Sequence, residues 1–258
     1  MTQLQVDLNS DMGEGFGTYQ KGDDAAILDI VTSANVACGF HAGDPEIMAS
    51  TFALAKEKNV AVGAHPGFPD LWGFGRRIIP FTPGEVERFV AYQIGAAQGM
   101  SAYAGHPITY VKAHGALGNL TQTEEDVANA IANAILAVDK NLTCVTFAGA
   151  VMERVCKEKG IKTAAEVFAD RAYDEEGHLV NRKIPGAVLH DPVAAAERML
   201  RMIKAGGIET LSGNMLPVHI DTICVHSDTP GAIAMAAEVR RLLEANNIRV
   251  TAFSAQGS

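Results

Sequence analysis

Short strand-like runs alternating with longer amphipathic segments constrain this chain more than any other feature of its sequence. The runs are LQVDLN, IVTSANVA, VAVGAH, ITYVKAH, LTCVTFA, TAAEVFA, DTICVH and, last, IRVTAF. Helix start signals lie between them. Thr82-Pro83-Gly84-Glu85 reads as a capping box with proline in the first turn. Thr121 with Glu124 reads as a second, followed by Val127, Ile131, Ile135 and Val138 on one helical face. Asp44-Pro45, Asp191-Pro192 and Thr229-Pro230 read as N-caps followed by a first-turn proline. One segment, IETLSGNMLPVHID, interrupts the rhythm and reads as a hairpin around Ser212-Gly213-Asn214. Strands alternating with helices pair in parallel as βα units. Seven or eight such units in 258 residues, with no linker-like break, predict one closed (β/α) barrel domain over residues 1–258. A doubly wound open sheet is the alternative.

Bulk properties remove several classes of function. The net charge is −9 with no basic cluster, which argues against nucleic acid or an anionic membrane as partner. No segment approaches the roughly 18 uninterrupted apolar residues of a membrane span, and the start, MTQLQVDLNSD, has no basic-then-apolar leader pattern. Cys38, Cys144, Cys156 and Cys224 show no C-x-x-C spacing and read as buried free thiols in a reducing cytoplasm. Gly13-Glu14-Gly15-Phe16-Gly17 does not have the G-x-G-x-x-G spacing, and no G-x-x-x-x-G-K-[ST], H-E-x-x-H or G-x-S-x-G occurs. Acid–base work or metal ligation by Asp and His remains.

Those residue types sit where a barrel gathers its chemistry. Asp11 and Glu14 follow strand one, His41 follows strand two, and His65 and His114 end strands three and four. Glu166, Asp170 and Arg171 close strand six; His226 and Asp228 close strand seven. In parallel β/α folds the loops after the strands' carboxyl ends share one face, so these groups converge although they are far apart in sequence. Alternation places Asp7, Asn9 and Asp11 on one side of strand one, and Tyr110, Lys112 and His114 on one side of strand four. Buried charges without partners are costly, so polar side chains there predict a pocket at the barrel top. Each residue alone has a plainer account: Asp44 and Asp228 as helix caps, Arg171 as a partner for Glu166 or Asp170, Lys112 snorkelling outward. Their joint placement at one end predicts a site. His106, His178, His190 and His219 fall in apparent loops or the hairpin and receive no role.

The motifs VDLNSDMGEGFG, TSANVACGFHAGDP, GAHPGFPDLWGFGRR, VKAHGALGNL, EVFADRAY and ICVHSDTPGA, in this order, resemble those of the LamB/YcsF family, which supplies the A subunit of the prokaryotic 5-oxoprolinase. The resemblance runs from Val6 to near Glu244 and implies an irregular, seven-stranded (β/α) barrel of the glycoside hydrolase/deacetylase type. It implies ATP-dependent opening of 5-oxoproline to glutamate with two partner subunits that handle ATP, which accords with the absence of an ATP motif here. On this reading Asp11, His41, His65 or His114 supplies a general base and Lys112 stabilises phosphoryl or oxyanion charge. Asp7, Asn9, Asn35, Arg76, Glu166, Arg171 and His226 are the candidate substrate-binding residues, Arg171 or Arg76 gripping the carboxylate. Two motifs depart from the family pattern: Ala113 and Gly118 stand where proline and tyrosine are usual, and Ser227 where glycine is.

Two rival readings use the same residues. A metal-dependent deacetylase would hold Zn²⁺ or Mn²⁺ on Asp11, His41 and His65. A non-catalytic subunit would bind a small lactam and present it to another enzyme.

Overall fold

The computed structural model describes residues 3–226 and 231–255. Seven parallel strands close a ring: β1 (Gln5–Met12), β2 (Ser33–Ala37), β3 (Ala61–His65), β4 (Tyr110–Lys112), β5 (Thr143–Phe147), β6 (Thr163–Phe168) and β9 (Thr222–Cys224), with β9 pairing back onto β1. The expected closed barrel is therefore the observed one, and the open sheet is not. Helices α1 (Asp24–Leu28), α2 (Pro45–Glu57), α3 (Pro83–Ala104), α4 (Gly115–Leu120), α5 (Glu125–Val138), α6 (Val151–Glu158), α7 (Pro192–Ala205) and α8 (Ala232–Ala245) connect the strands. The expected hairpin is present as antiparallel β7 (Gly207–Glu209) and β8 (Met215–Pro217). All four cysteines are buried and free. Among the described residues no helix is long and apolar enough to cross a membrane.

Local chemistry accounts for the helix starts. Thr82 and Glu85 form the reciprocal capping box, while Asp44 and Asp191 each accept two backbone N–H groups in the first turn after them. Thr121 does not cap α5. It ends the short helix α4 and its hydroxyl bonds the Gly118 carbonyl, leaving Glu124 at the α5 start without a side-chain cap. The last strand-like run also differs: IRVTAF gives only β10 (Arg249–Val250), which pairs with Gln5 and Val6 outside the ring, and then a 3₁₀ turn, Phe253–Ala255. Thr229-Pro230, Ser227 and Asp228 lie outside the described residues.

The two faces of the ring are sharply different. Leu8, Val36, Val62, Val111, Val167 and Ile223 are buried in one continuous apolar core with Phe52, Ile94, Ile131, Met199 and Val239 of the helices. Each such side chain contributes roughly 1.5–3 kcal/mol by leaving water. The inward positions carry Asp7, Asn9, Asp11, Asn35, Tyr110, Lys112 and Glu166, all buried. This interior is polar where a barrel of this kind is ordinarily aliphatic. At its base the Tyr110 ring packs over Gly63, where a Cβ would stand 2.3 Å from the ring, and Phe253 caps it with ring centroids 5.1 Å apart.

Asp7 lies in this floor, accepting hydroxyl hydrogen bonds from Thr222, Thr32 and Ser33. Burial outweighs these donors and pushes its pKa from 3.8 up to about 6. A carboxyl raised in the folded state favours folding while protonated, and that contribution is lost as pH rises through about 6. The difference corresponds to about 3 kcal/mol at neutral pH. Asp7→Asn is therefore expected to be more stable than the parent at pH 7.5, by up to this amount, with the gap closing as pH falls to 4. Denaturant titrations at the two pH values check this; an equal gap at both would remove the titration account.

Candidate active site

Lys112, inward on β4, is the hub of the interior. Its Nζ lies 2.8 Å from Glu166 Oε1, 3.1 Å from Asp11 Oδ1, 3.3 Å from Asn9 Oδ1 and 3.2 Å from Cys224 Sγ. Burial alone would lower its pKa, but the carboxylates of Asp11 and Glu166 outweigh it and hold the ammonium well above the usual lysine range. Burial would raise Asp11 in turn; His65 and Lys112 beside it hold it well below the usual carboxylate range. Asn35 ties the layer together, donating to Asn9 and Asp11 and accepting from the Tyr110 hydroxyl.

Above Asp11 three imidazoles meet. His65 Nε2 is 3.4 Å from Asp11 Oδ1 and 3.1 Å from His114 Nδ1, and the His41 and His114 rings stack with centroids 3.6 Å apart. Glu14 reaches them because Gly13, at φ +65°, turns the chain out of β1; Glu14 Oε1 is 3.5 Å from His41 Nε2 and 3.5 Å from His114 Nδ1. Gly75, at φ +62°, is packed so closely that a Cβ would lie 2.8 Å from both His114 Cδ2 and His41 Cβ. Burial, with the neighbouring imidazoles, pushes His41 and His114 well below the usual histidine range.

A cavity of about 520 Å³ opens over these groups at the carboxyl ends of the strands. Asp11, His65, Lys112 and His114 form its base, and Arg76, Arg171, Arg182, Lys183 and His226 stand on its walls. Asp170 holds His226 through Nδ1 at 2.8 Å, and Arg182 approaches the other ring nitrogen at 3.1 Å. Arg171 donates to the Val180 carbonyl; burial and the nearby Arg182 bring its pKa down to about 10. The wall is thus strongly cationic in a chain whose net charge is −9. Such a concentration of one sign in a concave site attracts anions.

Most of the expected site residues converge, but at different depths. Asp7, Asn9 and Asn35 lie beneath the cavity, fully buried, with Asn35 donating to Asn9 and Thr222 linking Asn9 to Asp7, so they support the site from below. Glu166 sits beside them as the partner of Lys112, not of Arg171. His41 lies behind His114. The triad Asp11–His41–His65 is not the compact donor group: Glu14, His41, His65 and His114 each place one ligand atom within 4.8 Å of the others. Arg182, Lys183 and Asn181 escaped the sequence reading; they belong to the irregular segment after β6. Its length, with no helical pattern before α7, was the available signal, since long loops in compact folds carry function. Ala113 and Gly118, the two departures within one motif, touch: a Cβ on Gly118 would lie 2.6 Å from the Ala113 carbonyl oxygen.

Comparisons with known proteins agree with this architecture. The A subunit of 5-oxoprolinase from Gluconobacter oxydans (strain 621H) is 59% identical over 254 residues, covering 98% of this chain and 100% of that protein. The crystal structure of a lactam utilization protein from Thermus thermophilus superposes with a TM-score of 0.91 at 43% identity, over 96% of this chain and 100% of that one. A structure of "T48 deacetylase with substrate" shares the fold alone, with a TM-score of 0.53 at 12% identity over 99% of this chain and 92% of that one. The LamB/YcsF family model matches residues 6–258, and the chain belongs to that family.

Proposed function

We propose that this chain is the A subunit of an ATP-dependent 5-oxoprolinase, a cytoplasmic enzyme that opens the lactam of 5-oxoproline to L-glutamate with two further subunits. The observation that supports it best is the cavity itself. A small anionic ring fits a pocket with arginines on its wall and an ammonium, a carboxylate and imidazoles at its base.

An unstrained five-membered amide is a poor electrophile, and phosphorylation of its oxygen converts it into a good one. On this reading ATP is bound by the partner subunits, in keeping with the absence of a P-loop sequence here. Arg171 or Arg76 grips the substrate carboxylate. Water adds to the ring carbonyl carbon while its proton passes to the Asp11–His65 pair, whose Oδ1 and Nε2 are 3.4 Å apart. Lys112 stabilises the negative charge that gathers on oxygen. The ring C–N bond then breaks, the nitrogen leaving as an amine that takes up a proton. The phosphoryl group stays on the new carboxyl oxygen as an acyl phosphate until a second water releases inorganic phosphate, and ADP remains with the partner subunits.

The test uses a cell extract lacking only this chain. Glutamate should form from 5-oxoproline when the purified protein and ATP are both added, and not with the purified chain alone. If partners verified with a related A subunit yield no glutamate, the assignment fails.

A further inference from the structure

Hydrogen bonds fix the tautomers of two histidines without reference to any ligand. His65 Nδ1 lies 2.8 Å from the Lys112 carbonyl oxygen and His114 Nε2 lies 2.8 Å from that of Phe74. A carbonyl oxygen only accepts, so both nitrogens carry hydrogen. The other two nitrogens, His65 Nε2 and His114 Nδ1, then turn their lone pairs toward each other across 3.1 Å. A third ring, His41, is 1% exposed, and neither of its nitrogens has a hydrogen-bond partner. One added proton would bridge His65 and His114 but leave His41 as it is. A cation bound at those two nitrogens satisfies both, and His41, whose ring stacks parallel on His114, joins it by turning its ring toward them.

We infer that Glu14, His41, His65 and His114 form a site for one divalent first-row transition-metal ion, Zn²⁺ foremost. Tetrahedral zinc with bonds of roughly 2.0–2.2 Å separates its ligand atoms by about 3.4 Å. The distances here are 3.1 Å between His65 and His114 and 3.5 Å from Glu14 to each of His41 and His114. Carbonyls behind His65 and His114 orient the rings as the outer partners of metal-bound histidines do. Three imidazoles and one carboxylate suit zinc, cobalt or nickel and disfavour magnesium and calcium, which take oxygen donors. Asp11 stays outside the set, with its Oδ1 engaged by Lys112 and Asn35. When bound, such an ion would have its four tetrahedral positions filled by the protein and would supply fixed positive charge beside the cavity base. Proton acceptance by the Asp11–His65 pair then falls to Asp11.

The site does not depend on the lactam reading, and neither does its test. The full chain is stripped with chelator, exchanged into clean buffer and titrated calorimetrically with ZnCl₂, CoCl₂ and MgCl₂. We expect one Zn²⁺ per chain with a rise in Tm, a visible Co²⁺ absorption band, and no response to Mg²⁺. Glu14→Gln and His41→Ala should each weaken Zn²⁺ binding about 100-fold or more, at or beyond the roughly 10–100-fold cost of losing an outer-shell group. His178→Ala, in the separate group Asp174, Glu176 and His178, should change nothing. Absence of stoichiometric Zn²⁺ or Co²⁺ binding overturns the proposal, as does binding that survives Glu14→Gln or is abolished by His178→Ala. If His41→Ala does not fold, the near-isosteric Glu14→Gln decides.

Discussion

Lys112→Met is expected to lose on the order of 10²–10³-fold in ring opening and about 3–5 kcal/mol of folding stability. The two losses have different origins. Removing the ammonium leaves Asp11 and Glu166 buried and facing each other without the cation that lies 3.1 Å and 2.8 Å from them. An uncompensated buried charge is what makes breaking such a network expensive, whereas the intact network adds little over an apolar packing of the same volume. The activity loss comes from removing the ammonium at the cavity base, where charge develops on oxygen. Glu166→Gln added to Lys112→Met should restore part of the stability and none of the activity. Thermal unfolding of both variants, beside glutamate formation in the reconstituted complex, separates the effects. Recovery of activity in the double variant would remove Lys112 from the chemistry.

Asp11→Asn keeps the shape of the side chain and removes its charge. Ring opening should fall roughly 10²–10⁴-fold, in kcat with KM within a few-fold of the parent, because proton transfer and not ground-state binding is lost. Asn35 and Glu166 remain to hold Lys112's layer in place. The variant also decides between catalysis and presentation: a subunit that only delivers its ligand would retain parental turnover in the complex. Binding of 5-oxoproline to the variant, followed by calorimetry, guards against a collapsed pocket as the cause.

Residue alternation makes the core of this site legible in the sequence. Asp7, Asn9 and Asp11 at every second position of β1 cannot all face an apolar layer, and they do not. The strand-end histidines were readable for the same reason, since the topology sends every βα turn to one rim. Glu14 is legible as one of the groups gathered at that rim, but not as the histidines' carboxylate partner. Glu14 departs from strand alternation at the Gly13 turn, so no periodicity leads from it to His41 and His114. Arg182 and Lys183 lie in a segment without repeat or capping pattern, and only the folded chain brings them against His226 and the cavity. Thr121 shows the converse: a T-x-x-E pattern is a local signal, and the preceding turns of α4 claim the threonine first.

Gly63, Tyr110 and Phe253 close the floor of this chamber, and among the described residues the cavity opens at the carboxyl ends of the strands. A ligand entering from that side passes Arg76, Arg171 and Arg182 on the cavity wall. A dianionic product would meet the same cations that draw the substrate in, and is expected to compete with it for the cavity.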